Sequence, residues 1–332
     1  MSKLAIGFDV GGTKCAVVLG RFPDDGGAPE ILGKRRFATA EHPDPYDCLE
    51  TLCTFADELC NTATSATSAN TPIGVGISCG GPLNPFTGVV QCPPNLPGWI
   101  DIPAVEFVSK RLGLPARLEN DANACAYAEW KFGAGRGTRD MVFLTFGTGM
   151  GAGIIADGHL LEGRLGLAGE VGHLRLAPDG PVGFGKAGSF EGFCSGGGIG
   201  RQGQTLARAA LDAGHPFEWC QTASDIAGIT AKSIAEQAFA GNADARAIYA
   251  SCGERLGQGL SLLIDILNPE CIVIGSIFGR AEALLRPSME TVLRRECIPD
   301  SLAACRIVPA GLGESIGDVA ALSLAMLVSQ KP

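Results

Sequence analysis

Twice in this chain a short apolar run enters a glycine-rich turn and leaves as a second short apolar run. Residues 4–10 (LAIGFDV) and 15–20 (CAVVLG) flank Gly11-Gly12-Thr13-Lys14, and residues 141–146 and 152–156 flank Gly147-Thr148-Gly149-Met150-Gly151. Such runs joined by a glycine turn read as β-hairpins. The repetition implies two domains built on one plan, each offering a glycine hairpin. Among the other segments, residues 31–39 read as a third strand, 73–78 and 116–119 as strands, and 271–274 as a buried strand. Apolar spacing predicts helices over 46–61, 122–132 (stopped by Gly133), 243–267 (ended by Asn268-Pro269) and 319–329. Residues 61–71 and the proline-rich 93–99 read as loops. Strands alternating with helices point to an α/β protein, with the domain change near Asn120.

Composition narrows the class. Of 332 residues, 46% are hydrophobic and 18% charged, which supplies a core and excludes a disordered chain. The 47 glycines exceed what a helical bundle uses, and they lack the G-X-Y period of collagen. A net charge of −9 without a basic run argues against nucleic-acid binding. The 13 cysteines are odd in number, scattered singly and without a C-x-x-C, so they read as small buried hydrophobes in a reducing compartment. There is no signal-peptide pattern and no uncharged apolar run near the roughly 18 residues of a membrane helix. The expectation is a cytoplasmic, soluble protein with no membrane partner.

Four segments have residue types suited to chemistry. In Asp9-x-Gly11-Gly12-Thr13-Lys14, paired glycines let backbone amides face an anion, the hydroxyl and lysine reach phosphate oxygens, and Asp9 suits a hydrated Mg²⁺. An ordinary hairpin turn reads equally well, and the pattern is not a Walker A loop. Gly147–Gly153 places small residues at every second position, so a ligand can touch backbone; tight sheet–helix packing is the alternative. Facing one another across a cleft, the two hairpins would grip a polyphosphate. In Glu119-Asn120-Asp121-Ala122-Asn123, Asn and Asp suit a helix cap, or Asp121 is a base at a strand-to-helix junction, kept ionised by the helix N-terminus. Gly169-Glu170-Val171-Gly172-His173, with Glu191 further on, fits metal binding, hydrogen bonding to sugar hydroxyls, or a structural histidine.

Taken together these motifs resemble, in order and across almost the whole chain, those of the ROK family of bacterial sugar kinases and repressors. The matching patterns are D-x-G-G-T-K at Asp9–Lys14, N-D-A-N at Asn120–Asn123, G-T-G-x-G-x-G at Gly147–Gly153 and A-G-E-x-G-H ending at His173. The resemblance implies the two-domain actin/hexokinase/Hsp70-like ATPase fold, with ribonuclease H-like domains around a central cleft. It implies an N-terminal domain over 1–119 joined by the C-terminal helix 317–332, and a larger domain over 120–316. It further implies an ATP-dependent hexose kinase, acting most simply at O6, with glucose as first choice and an N-acetylhexosamine or fructose kinase or a non-catalytic sugar sensor as alternatives. Carried over by position, Asp121 is the catalytic base. Asn120, Glu170, His173, Glu191, Asn95 and Gly81 hold the sugar. Asp9, Gly11, Gly12, Thr13, Lys14, Thr148, Gly149 and Gly275 meet the nucleotide, with Mg²⁺ at Asp9. Gly80-Gly81-Pro82 is similar to the family's N-acetylmannosamine kinases, and Pro94–Trp99 to its glucokinases. Relatives are commonly dimers or tetramers.

Two departures stand out. Members often have C-x-C-G-x-x-G-C-x-E after the histidine, forming a zinc site. Here those cysteine positions hold Val182, Phe184 and Ser189, so no zinc is expected, and Phe184, Phe190 and Phe193 are expected to hold the loop by packing. The first strand is read as starting almost at Met1, so the repressors' helix-turn-helix is not expected here.

Overall fold

A computed structural model of the chain describes residues 2–64 and 71–328. The first half runs β1 (Lys3–Val10), β2 (Lys14–Phe22), β3 (Glu30–Ala38), α1 (Pro45–Thr64), β4 (Val75–Cys79), β5 (Leu83–Asn84), β6 (Val89–Val90), α2 (Ala104–Leu112), β7 (Ala116–Asn120) and α3 (Asp121–Phe132). Next come β8 (Met141–Phe146), β9 (Met150–Ala156), β10 (His159–Leu160), β11 (Val182–Gly183) and β12 (Lys186–Ala187). They are followed by α4 (Phe190–Phe193), α5 (Gly196–Asp212), α6 (Ala231–Phe239) and α7 (Ala243–Leu267). The chain then forms β13 (Cys271–Ile274), α8 (Ile277–Glu296), α9 (Pro299–Ala304), β14 (Arg306–Pro309) and α10 (Ile316–Leu324). Part of the 61–71 loop expectation is overturned: Asn61–Thr64 continue α1, and 65–70 lie outside the described residues. Likewise α10 stops at Leu324 and passes into a 3₁₀ turn, Ala325–Leu327; residues 329–332, at the end of the expected last helix, lie outside the described residues.

The chain divides into two compact units. One comprises Met1–Gly137, Gly153–Ala168 and Gly311–Pro332; the other comprises Thr138–Ala152 and Gly169–Ala310. The division therefore falls beyond the expected position at Asn120. The reason is local: α3 packs its Ala124, Tyr127 and Ala128 against Val319, Ala320 and Leu324 of α10.

The first unit holds a sheet in the order β3-β2-β1-β4-β7, with β1, β4 and β7 parallel and β2 and β3 antiparallel additions. Alternation along β1 explains its two buried faces. Leu4, Ile6, Phe8 and Val10 join the core with α1 (Leu49, Leu52, Cys53, Ala56) and α2 (Ala104, Val108). Ala5, on the other face, packs with Leu322 and Ala325. Gly76 permits this second layer: a Cβ there would collide with the Ala321 carbonyl oxygen, so only glycine lets α10 lie so close to β4.

In the second unit β8, β13 and β14 run parallel, in register Val142–Ile272–Ile307. All four residues of β13 are buried. The long α7 matches its expected span, with Ile248, Cys252, Leu256, Leu260 and Ile264 buried on one stripe. Its end is set by Asn268 at φ 45°, a left-handed cap that asparagine tolerates. All 13 cysteines are free thiols, ten of them buried. No described helix is long and apolar enough to cross a membrane.

Candidate active site

In the first unit three parallel strands end side by side. Val10 of β1 pairs with Cys79 of β4, and Cys79 pairs with Asn120 of β7. Carboxyl ends of parallel strands are where α/β sheets bind ligands, because the chain leaves each strand there as a loop or a helix start. Asp9, the Gly11–Lys14 turn, Gly81, Asn120 and Asp121 all leave from this edge. The Gly11 N–H donates to the Lys14 carbonyl at 3.2 Å, and the Thr39 hydroxyl donates to the Gly11 carbonyl at 2.6 Å, fixing the turn from behind. Gly12, Thr13 and Lys14 stay exposed. A Cβ on Gly12 would collide with the Asn95 carbonyl oxygen, so the proline-rich loop comes against the turn. Gly81 faces the Asn120 amide, whose nitrogen lies 3.4 Å from where its Cβ would be.

Asp9 is a carboxylate under strain of charge. Burial, then Asp318, push its carboxyl above the ordinary value, against the pull of Lys14 and Lys34. Asp121 opens α3. The Asn120 side chain caps the helix by accepting the Ala122 N–H at 2.9 Å, and Asp121 Oδ1 accepts the same N–H at 2.8 Å. The cap falls to Asn120, and Asp121 stands exposed at the helix N-terminus.

Sequence reasoning overlooked Glu119, directly beneath. It is fully buried, and its Oε1 accepts the Asn120 N–H and the Asn123 side-chain N–H, each at 3.0 Å. Burial pushes its carboxyl up to about 7, although the Asn123 and Asn120 bonds and Arg117 pull the other way. A carboxyl whose folded pKa lies above its unfolded one keeps a proton that the unfolded chain has released. Its charge therefore costs nothing below the unfolded pKa, and the cost grows as pH rises to the folded value. Glu119→Gln is expected to flatten the fall in stability between about pH 4.5 and about pH 7. Urea midpoints of both proteins at the two ends of that window check it; an equal fall in the variant contradicts it.

The second unit supplies the other glycine turn. The Gly196 N–H donates to the Gly147 carbonyl at 2.7 Å, docking the start of α5 on it. Behind Thr148 opens a cavity of about 460 Å³, lined by Gly147, Gly196, Gly197, Thr230, Tyr249, Ser276 and Arg280 among others. Thr148 lies in this lining. Gly275 does not: it is buried against Phe143, and its neighbours Ser276 and Ile277 reach the cavity instead. Ser195, which caps α5 by accepting the Gly198 N–H, and the three glycines after it were the missed signal.

Glu170 and His173 bracket a single 3₁₀ turn, Val171–His173, rather than a helical face. Glu191 lies in the short α4, whose Ser189 cap accepts the Gly192 N–H at 3.1 Å. Glu191 Oε2 accepts the Met150 N–H at 3.1 Å and approaches Gly149, so the acid is seated on the glycine turn. A Cβ on Gly172 would collide with the Met150 carbonyl oxygen and sit 3.3 Å from Glu191 Cβ, which places the His173 segment in the same cluster. Phe190 and Phe193 are buried, as the packing expectation holds, but Phe184 is 68% exposed and contributes no core.

Strand-edge acids and an exposed glycine turn in one unit, with a turn-lined cavity in the other, make this a two-unit α/β protein with a glycine turn in each unit. The chain belongs to the ROK family, whose model matches residues 5–328. It is 31% identical over 333 residues to the glucokinase of Streptomyces coelicolor, covering 97% of each chain. It is 34% identical over 286 residues to the N-acetylmannosamine kinase of Salmonella typhi, covering 86% of each. Among solved structures, a ROK family glucokinase from Streptomyces griseus in complex with glucose and AMPPNP superposes with a TM-score of 0.73 at 31% identity, covering 97% of this chain and 99% of that one. The fold is that of the actin/hexokinase-like ATPases.

Proposed function

We propose that this chain is an ATP-dependent hexose kinase, transferring the γ-phosphoryl group to a sugar hydroxyl, O6 in the first instance. The observation that carries the reading is the strand edge of the first unit. There an exposed carboxylate at a helix start, Asp121, shares one edge with an exposed Gly-Gly-Thr-Lys turn. Relatives named glucokinase and N-acetylmannosamine kinase over nearly the whole chain support it.

Phosphoryl transfer passes through a loose transition state, so positioning and charge neutralisation supply most of the rate. With Gly11 closing the turn, the Gly12 amide, the Thr13 hydroxyl and the Lys14 ammonium meet phosphate oxygens, as do the Thr148 and Gly149 amides of the other turn. The cavity beside Thr148 takes the nucleoside. Asp121 accepts the proton of the attacking hydroxyl, its ionised form favoured by the helix N-terminus. Asn95, Asn120, Glu170, His173 and Glu191 pair the remaining hydroxyls, which rejects sugars that leave any of them unpaired. Asp9 fits a hydrated Mg²⁺: it is a half-buried acid repelled by Asp318, a charge balance that a divalent cation relieves. When bound, the cation supplies neutralisation of phosphate charge.

The test is ADP release from ATP and Mg²⁺ over a panel of glucose, N-acetylmannosamine, N-acetylglucosamine, fructose and allose. Sugar-dependent release is expected, fastest with one member. Release at one rate with or without sugar indicates a simple ATPase, and sugar binding with no release indicates a sensor; either overturns the kinase reading.

A further inference from the structure

Between His173 and the helix with Glu191 lies a small hairpin that the catalytic reading does not use. β11 and β12 pair antiparallel, Val182 with Ala187 and Gly183 with Lys186. The two turn residues, Phe184 (φ 44°) and Gly185 (φ 75°), are both left-handed. Two positive φ values are what a tight two-residue hairpin needs, but for a phenylalanine the conformation is costly and persists only where surrounding contacts impose it.

Two contacts from this hairpin go to one residue. Lys186 Nζ donates to the His173 carbonyl oxygen at 2.6 Å. The Phe184 ring meets the His173 imidazole edge-on, centroids 5.1 Å apart at 81°. On its other side the hairpin is locked to α4, since a Cβ on Gly183 would lie 2.6 Å from the Gly192 nitrogen. The hairpin therefore bridges His173 to the helix in which Glu191 sits.

The metal that this loop binds in many family members does not fit here. The equivalent positions carry an isopropyl group, a phenyl ring and a hydroxyl (Val182, Phe184, Ser189), none a thiolate, and the phenyl ring packs edge-on against His173.

We infer that Lys186 is a positioning residue for sugar binding: its ammonium fixes the His173 peptide, and Phe184 fixes the ring, so that the cluster keeps its shape through a charge-assisted hydrogen bond and an aromatic contact in place of a metal. This rests on the kinase reading, which makes His173 a sugar ligand. The bond from Lys186 orients the His173 peptide, so its loss lets His173 leave the geometry that sugar binding needs while the remaining packing holds the fold.

The experiment compares wild type with Lys186→Met, Lys186→Arg and Phe184→Ala, with glucose and N-acetylmannosamine as probes. Lys186→Met is expected to raise KM for the sugar about tenfold or more while KM for ATP and Tm hold, with the same loss in calorimetric sugar binding in the absence of nucleotide. Lys186→Arg restores part of the affinity, and Phe184→Ala lowers it by a smaller factor. Elemental analysis of the wild type finds no stoichiometric zinc, and a zinc-selective chelator in excess Mg²⁺ leaves sugar affinity unchanged. An unchanged sugar KM in Lys186→Met, a parallel loss in both KM values with a lowered Tm, or about one zinc per chain each overturns the inference. A wild type that turns over neither probe nor any other hexose contradicts the kinase reading itself; an active wild type matched by Lys186→Met contradicts only the role of Lys186.

Discussion

Asp121→Asn is expected to lower kcat by on the order of 10²-fold or more, with folding intact. The substitution is close to isosteric. The introduced amide would keep an oxygen to accept the Ala122 N–H, which Asp121 now does at 2.8 Å, and Asn120 would still cap α3 at 2.9 Å. What disappears is the capacity to take a proton. Saturating assays with ATP and the preferred sugar read the effect, and a melting curve shows that the fold remains. Turnover near the wild-type rate would remove Asp121 from the chemistry.

The second large effect is on stability. Glu129→Leu is expected to cost a few kcal/mol, because hydrogen bonds to a charged group contribute about 1.5–3 kcal/mol each and three part-buried amides lose theirs at once. Glu129 is fully buried on α3, and its carboxylate accepts three of them: Ala134 at 2.7 Å, Gly311 at 3.1 Å and Leu312 at 2.8 Å. Two lie more than 180 residues along the chain, so this acid ties the returning C-terminal segment to the helix that Asp121 begins. Leucine also has no means to satisfy a donor. The urea midpoint should fall sharply, and protease should cut first near residue 311 as that segment releases. Glu129→Gln, which keeps one carbonyl oxygen, should fall in between. An unchanged midpoint in the leucine variant would contradict the role assigned to the carboxylate.

Where the chain repeats a strong period, its structure could be read from sequence. The stripe of α7 and the glycine turns after β1 and β8 have local causes, and those causes survive folding. Elements whose apolar face is diluted were missed. α8 has four arginines and Pro287 within it, and its Ala281 breaks helical geometry, so no clean stripe appears before Leu285 and Met289 are seen buried. α5 opens on three glycines, which read as a turn until Ser195 is seen capping them. In the candidate site, Asp9, Lys14, Asn120 and Asp121 were legible because strand ends and helix caps are local signals. Glu119 and Glu129 were not: an acid in an apolar environment looks like a surface charge until its amide partners, some distant in sequence, are known. Phe184 fails for the reverse reason. Its ring looks like core material, but a left-handed hairpin tip holds it out against His173.

The most direct measurement is ³¹P NMR of the product formed from ATP, Mg²⁺ and glucose, repeated with N-acetylmannosamine. The γ-phosphate is expected to reappear as a sugar phosphomonoester split by the two protons on C6. Phosphate recovered only as inorganic phosphate, or ATP left intact with every hexose, would contradict it.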